Sequence, residues 1–378
     1  MSDIMPNPLG DPDQQVWDGV QALLDSYAHI TRDDNVIIAY TLDVRDSAAW
    51  VALALEQREI PTLLVPMLPL RDQKLCRRLS ELIPLHRETT GRCVLMLLEW
   101  ETVSHDEIIR QTFSHYETNQ YLVVRVINAG CHLFANGMAI TPEELAARNT
   151  TLWEYCRSAS SLTVTTPRGT DLKIGLDPSK FRWLSMCGIT HPGKALVLPT
   201  GEIATFPATI SGRLVADFAL QANFRISGDT RLNKQPVTIE VKDSEVIDYQ
   251  CNSTDIMNLL DRAFAHKNAR RVGELGFGTN AQVKIPVFEN SPLNERCPGV
   301  HLGFGKHNRA VGDVGYECEI HLDLIARGGV IRADSSGECI DLANIKPSLN
   351  WHSLHLGGEH EDIFSPPLTD ADCCGVLV

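Results

Sequence analysis

The sequence predicts an α/β N-terminal domain on a Rossmann-like parallel sheet (residues 1–158), followed by a β-rich α+β domain (159–345). Three observations carry this prediction. Between residues 17 and 158, short continuous apolar runs alternate with amphipathic stretches, the pattern of strands covered on both faces by helices. From about residue 162, alternating runs joined by turn residues take over, the signature of antiparallel hairpins. A chain of 378 residues also exceeds what a single hydrophobic core usually fills.

The first half reads as strand 36–40, helix 46–60, strand 62–65, helix 72–83, buried strand 93–98, helix 106–116 and strand 121–126. Thr141 then caps a further helix, with Pro142 at its first position and Glu144 completing a capping box. No glycine fingerprint follows the first strand, where a dinucleotide or Walker-type site needs backbone amides close to phosphate. In the second half, runs 162–166 and 171–174 form one hairpin around Pro167 and Gly169, and runs 237–242 and 246–249 form another around Asp243 and Ser244. A helix from Thr254 to about His266 carries Ile256, Leu259, Leu260 and Phe264 on its apolar side. Residues 346–378 lack periodicity and read as an irregular tail.

Forty-eight acidic residues against thirty-four basic ones give a net charge of −14. This argues against a nucleic-acid partner, which needs a concentrated basic surface. No apolar run approaches the ~20 residues of a membrane helix, and the acidic, proline-containing start does not read as an export signal. Eleven cysteines without a CxxC pair read as reduced thiols in a cytoplasmic protein.

The chemistry concentrates in the second half. His321 and Asp323 lie two residues apart in an alternating run, so both side chains point to one face of a strand. Upstream, Glu202 follows Pro199-Thr200-Gly201, Glu274 opens Glu274-Leu275-Gly276-Phe277-Gly278, and His301 opens His301-Leu302-Gly303-Phe304-Gly305. Alternating glycines strip one strand face of side chains and leave room for a ligand. Imidazoles and carboxylates together suit a borderline or hard divalent cation. His307 reads as a surface or supporting group, and His191, His266 and His360 as ordinary. In the tail, His352, His355 and His360 near Cys373 and Cys374 are a weaker candidate metal set, and the apolar end 375–378 is expected to pack on its own or a partner subunit.

These four motifs, in this order, resemble the aminopeptidase T family of metallo-aminopeptidases, which includes aminopeptidase S and PepS. The resemblance spans most of residues 20–340 and is distant. It implies two divalent ions, commonly zinc or cobalt, held by Glu202, Glu274, His301, His321 and Asp323. It also implies a homodimer that releases N-terminal residues from a peptide or small amide substrate, with Glu202 or Glu274 as bridging ligand or proton carrier. Where that family has a tyrosine seven residues after the His301 position, this chain has Asn308; Tyr316 is the candidate replacement, and the interval to His321 is shorter. The 2,5-dihydroxypyridine 5,6-dioxygenases resemble the same fold but hold a single Fe(II) with two histidines and one aspartate and lack matches to Glu202 and His301; the alternative for this chain is a single Fe(II) on His301, His321 and Asp323. Those dioxygenases carry histidine at the position of Glu274. A third expectation is a non-catalytic peptide-binding accessory protein of a biosynthetic pathway.

Overall fold

The computed structural model describes residues 13–69, 72–83, 91–100, 109 and 111–352. Of the expected helix at 106–116, residues 106–108 and 110 lie outside these residues, while 109, 111 and 112 are helical, 113–115 turn and 116 a bend; His355, His360 and the cysteines of the tail also lie outside. The first half is built on a five-stranded parallel sheet in the order Thr62–Met67, Asn35–Thr41, Cys93–Glu99, Tyr121–Ile127, Leu196–Leu198. Successive residues of one strand feed different cores. Val94, Met96 and Leu98 join one buried cluster, whereas Leu95 and Leu97 join another on the opposite face. That double burial is why the Cys93–Glu99 strand is apolar at almost every position instead of alternating.

The fifth strand, Leu196–Leu198, comes from beyond residue 158 and pairs in parallel with Val124–Val126. It is the exception to the antiparallel character expected of the second half. The halves are joined through their cores as well, since Phe218, Leu293 and Ile325 sit in the same cluster as Leu24 and Phe134. A helix the sequence reading did not assign, Gln14–Ala22, runs into a π-helical turn at Leu23–Tyr27.

Helix Pro142–Cys156 starts as expected, with the Glu144 amide donating to Thr141 Oγ1 at 3.2 Å. The reciprocal half of the capping box does not form, because the Glu144 carboxylate pairs with Arg148 at 2.9 Å. The helix ends inside the core of the second half, where Leu152 and Cys156 are fully buried.

That second half holds two antiparallel sheets sharing one core. The seven-stranded sheet contains both expected hairpins, Ser161–Thr165 with Asp171–Gly175 and Val237–Lys242 with Glu245–Gln250. Asp243 and Ser244 take positive φ of 49° and 64°, the conformation a tight two-residue hairpin needs. The six-stranded sheet runs Ala219–Ala222, His321–Arg327, Gly299–Gly305, Val272–Gly278, Glu202–Thr205, Leu184–Met186. Leu275, Phe277, Leu302, Phe304, Leu322 and Leu324 point from it into the core. The alternate residues on the same strands therefore face the other way, and they include Glu274, His301, His321 and Asp323; Glu202 does so on its own strand, where the next residue, Ile203, enters the core. The described cysteines are free thiols. Among the described residues, no helix is long and apolar enough to cross a membrane.

Candidate metal centre

Strand register explains the glycines. Glu274 is paired across the sheet with Gly303, His301 with Gly276, Asp323 with Gly303, His321 with Gly305, and Glu202 with Gly278. Every predicted ligand thus stands opposite a residue without a side chain and can lean over it. A Cβ on Gly276 would lie 1.9 Å from His301 Nε2, and one on Gly303 would lie 2.8 Å from Asp323 Oδ1 and 2.9 Å from His321 Cε1. At Gly276 and Gly303 that space is filled by the predicted ligand side chains themselves, whereas at Gly278 and Gly305 a Cβ would first meet backbone, of Cys297 and Ile320.

Glu202, Glu274, His301, His321 and Asp323 are all buried. They form two half-sites joined by Glu274. In the first, His301 Nε2 lies 3.7 Å from Glu202 Oε2 and 3.9 Å from Glu274 Oε1. In the second, His321 Nε2 lies 4.0 Å from Glu274 Oε2 and 3.0 Å from Asp323 Oδ2. Most of these separations are too long for hydrogen bonds. They suit ligands sharing an ion, since metal–ligand bonds of about 2.0–2.2 Å place neighbouring ligand atoms roughly 3–4 Å apart.

Both ring nitrogens of His301 and Asp323 Oδ1 are buried without a hydrogen-bond partner. Leaving such groups unpaired costs about 1–3 kcal/mol each, a cost that a bound cation would offset. The residues present therefore fit a divalent ion. His321 is also oriented for one: Nδ1 lies 3.0 Å from the Lys306 carbonyl, and donating there leaves Nε2 as the ligating atom. Burial alone would lower the pKa of His321, but the Asp323 and Glu274 carboxylates outweigh it and push the value up to about 10. Burial would raise Asp323, but the facing imidazole of His321 prevails and holds the carboxyl below its ordinary range.

The sequence reading missed two residues. Glu295 and Arg296 sit on a 3-10 turn, Pro292–Arg296, where no periodic pattern marks them. Glu202, Glu295 and His301 each offer a ligand atom within 4.8 Å of the others. Arg296 is buried, forms an ion pair with Glu202, and lies 3.4 Å from Glu295. Gln221, with its amide nitrogen toward the carboxylates, donates to Glu295 and Asp323 at 2.8 Å each. Asn149 ties the centre to helix Pro142–Cys156 by donating to the Glu202 carbonyl at 2.8 Å.

Tyr316 belongs to a neighbouring cavity of about 990 Å³, lined in part by Lys267, Arg271, Lys306, His307 and Arg309. Its hydroxyl is buried without a partner, and burial keeps it protonated well above the usual phenol range. His307 is buried, contrary to the expectation of a surface group: its Nδ1 accepts from the Arg309 amide and its Nε2 donates to the Tyr316 carbonyl at 2.9 Å. The cavity adjoins the centre, because the Lys306 carbonyl accepts a hydrogen bond from His321 Nδ1 and Arg309 feels the Glu274 charge. His352 stacks on Trp351.

This buried group of imidazoles and carboxylates lies on a glycine-cleared sheet face beside a Rossmann-like half, and part of it could hold a divalent ion. A family model described as 2,5-dihydroxypyridine 5,6-dioxygenase matches residues 124–295. The structure of 2,5-dihydroxypyridine dioxygenase from Pseudomonas putida KT2440 is similar with a TM-score of 0.60 at 14% identity, covering 85% of this chain and 95% of that one. Wild-type AmpT, the aminopeptidase T of Thermus thermophilus, is similar with a TM-score of 0.55 at 15% identity, covering 87% and 97%. No curated protein sequence matches. The chain thus resembles the dioxygenase family over residues 124–295 and shares its overall fold with both solved structures.

Proposed function

We propose that this chain is a metal-dependent hydrolase that cleaves a peptide or other amide bond. The observation that carries the reading is the composition of the half-site at Glu274, His321 and Asp323: one imidazole and two carboxylates. A mononuclear iron oxygenase typically uses two histidines and one carboxylate, and here Glu274 supplies a second carboxylate. When bound, a divalent ion supplies Lewis acidity, lowering the pKa of a water and polarising a carbonyl. The protein's own contribution is a proton acceptor and a shaped, charged approach. Glu274, with one oxygen toward each histidine, is the carboxylate placed to take up a proton. Tyr316 is a protonated donor in the adjoining cavity. That cavity is lined by Lys267, Arg271, Lys306 and Arg309 against only Glu317 and Glu319. In a chain of net charge −14 such a lining favours a substrate with an anionic end, such as the carboxylate of a short peptide.

A second reading, a ring-cleaving oxygenase, is favoured by the family match over residues 124–295, which includes Glu202 and Glu274. One experiment separates the two. Protein reconstituted with zinc, manganese or Fe(II) is offered short peptides and, separately, 2,5-dihydroxypyridine in an oxygen electrode. Peptide cleavage without oxygen uptake is the expected result; oxygen consumption with the pyridine and no peptide cleavage would overturn the hydrolase reading.

A further inference from the structure

Two hydrogen-bond donors in the basic cavity are left over. The Tyr316 hydroxyl and Arg309 Nε are both buried without a partner, and both residues line the same space of about 990 Å³. Neither group is loose. Tyr316 is 7% exposed; its ring meets His307 edge-on, with centroids 4.8 Å apart, and the Arg271 guanidinium lies 5.0 Å from its centre. The Arg309 guanidinium is tied through Nη2 to the Arg182 carbonyl. Glu274 and Asp313 act on it only through their charge, without a hydrogen bond. One buried imidazole joins the two residues: His307 accepts from the Arg309 amide at 3.3 Å and donates to the Tyr316 carbonyl at 2.9 Å. A buried donor left unmet costs about 1–3 kcal/mol. Two of them in one cavity, one on a cation, describe a place for an acceptor that carries negative charge, and a carboxylate is the acceptor that arginine binds most strongly. The groups that act electrostatically on the Tyr316 hydroxyl are Arg271 and Cys318, neither of them among the five predicted ligands.

We propose that the Tyr316 hydroxyl and the Arg309 guanidinium together bind a carboxylate of the substrate, away from the reacting bond. This rests on the reading of the basic cavity as the substrate's approach, and it names the two side chains that grip the anionic end. It also takes Tyr316 out of the chemistry: the tyrosine anchors the substrate and does not replace the tyrosine of the aminopeptidase T family at the centre.

The first test needs no turnover. Isothermal titration calorimetry of the purified protein with succinate and, separately, with succinamide, an uncharged analogue of the same size, reads the anchor directly. Wild type is expected to bind succinate about 10–100-fold more tightly, as hydrogen bonds to a charged group allow. Tyr316→Phe keeps the packed ring and removes only the hydroxyl, so it should lose much of that preference while melting at the temperature of wild type. Arg309→Gln should lose nearly all of it. No binding of succinate, equal binding of the two probes by wild type, or a preference that survives in both variants would overturn the proposal; in the last case the carboxylate sits at the centre and not at the anchor. If Arg309→Gln does not fold, Tyr316→Phe decides the matter. With a short peptide as substrate, Tyr316→Phe should raise KM and leave kcat nearly unchanged, whereas a fall in kcat at constant KM would place the hydroxyl at the reacting bond and sink the anchor. Absence of peptide cleavage, with the succinate preference present in wild type and lost in the variants, would remove the hydrolase reading and leave the anchor standing.

Discussion

Replacing Gly303 by alanine would change no ligand and no charge, yet it would strike the centre directly. Gly303 is in register with both Glu274 and Asp323, and its φ lies outside the left-handed region, so alanine meets no backbone objection. The objection is steric. The new methyl would stand 2.8 Å from Asp323 Oδ1, 2.9 Å from Glu274 Cβ and 2.9 Å from His321 Cε1. Carbon atoms in contact prefer about 3.5–4.0 Å, so each neighbour must yield by several tenths of an ångström or more. Glu274 Cβ is fixed to a paired strand and cannot yield without moving the sheet; His321 and Asp323 can move only by giving up their 3.0 Å contact. Overpacking of this kind costs about 1–3 kcal/mol. Misplacing ligands by this much should weaken metal binding by roughly 10–100-fold, as loss of a ligand's supporting contact does. Urea unfolding of the metal-free protein reads the first effect, and competition against a chromophoric chelator reads the second. Gly337→Ala is the control, since a Cβ there meets nothing within 4 Å. If Gly303→Ala matched Gly337→Ala in both assays, the claim that glycines were cleared for the ligand side chains would be wrong.

Two further predictions concern the surroundings of the centre and the first half. Asn149, fully buried, donates to Ser185 Oγ at 3.0 Å and to the Glu202 carbonyl, and accepts from Thr279 at 2.6 Å; Asn149→Ala strands these groups and should cost about 1–3 kcal/mol or more, read as a lower urea midpoint. Asp34 accepts from the Arg92 guanidinium and from the Thr31 and Arg92 amides. Burial alone would raise its pKa, but these partners hold it below 3.8. A depressed carboxyl stabilises the fold above its unfolded value and loses that contribution as pH falls through the folded one. Wild type should therefore lose stability below about pH 4, whereas Asp34→Asn should start less stable by about 1–3 kcal/mol and show a shallower acid slope in thermal melts. An equal slope in both proteins would remove Asp34 as a contributor.

What the sequence made legible follows from the range of each signal. The grouping of the five candidate residues on one sheet face was readable because each announces itself locally: a two-residue step puts His321 and Asp323 on one strand face, and Gly276, Gly278, Gly303 and Gly305 stand opposite the five in register. The hairpins were readable for the same reason, since Asp243-Ser244 and Pro167 to Gly169 are local turn chemistry. Glu295 and Arg296 were not, because their meaning depends on Glu202 and Pro199, more than ninety positions away. Leu196–Leu198 reads as a strand but not as a parallel one, since three apolar residues do not say which sheet they will join. The capping box was half right because Arg148, one turn further on, competes for Glu144.

The likeness to the dioxygenase family and the chemistry of the centre rest on different stretches of chain. The matched segment ends at residue 295, so it includes Glu202 and Glu274 but stops short of Arg296, His301, His321 and Asp323. A match of that extent supports the scaffold, the strands that carry the first ligands and the helix that Asn149 anchors to them. Chemistry is decided by charges placed on the scaffold, and two residues stand out. Glu274 adds a carboxylate to the half-site at His321. Arg296, the first residue past the match, puts a fixed cation against Glu202. The two ends of the centre therefore differ in charge, the His321 end carrying two carboxylates and the Glu202 end a buried guanidinium.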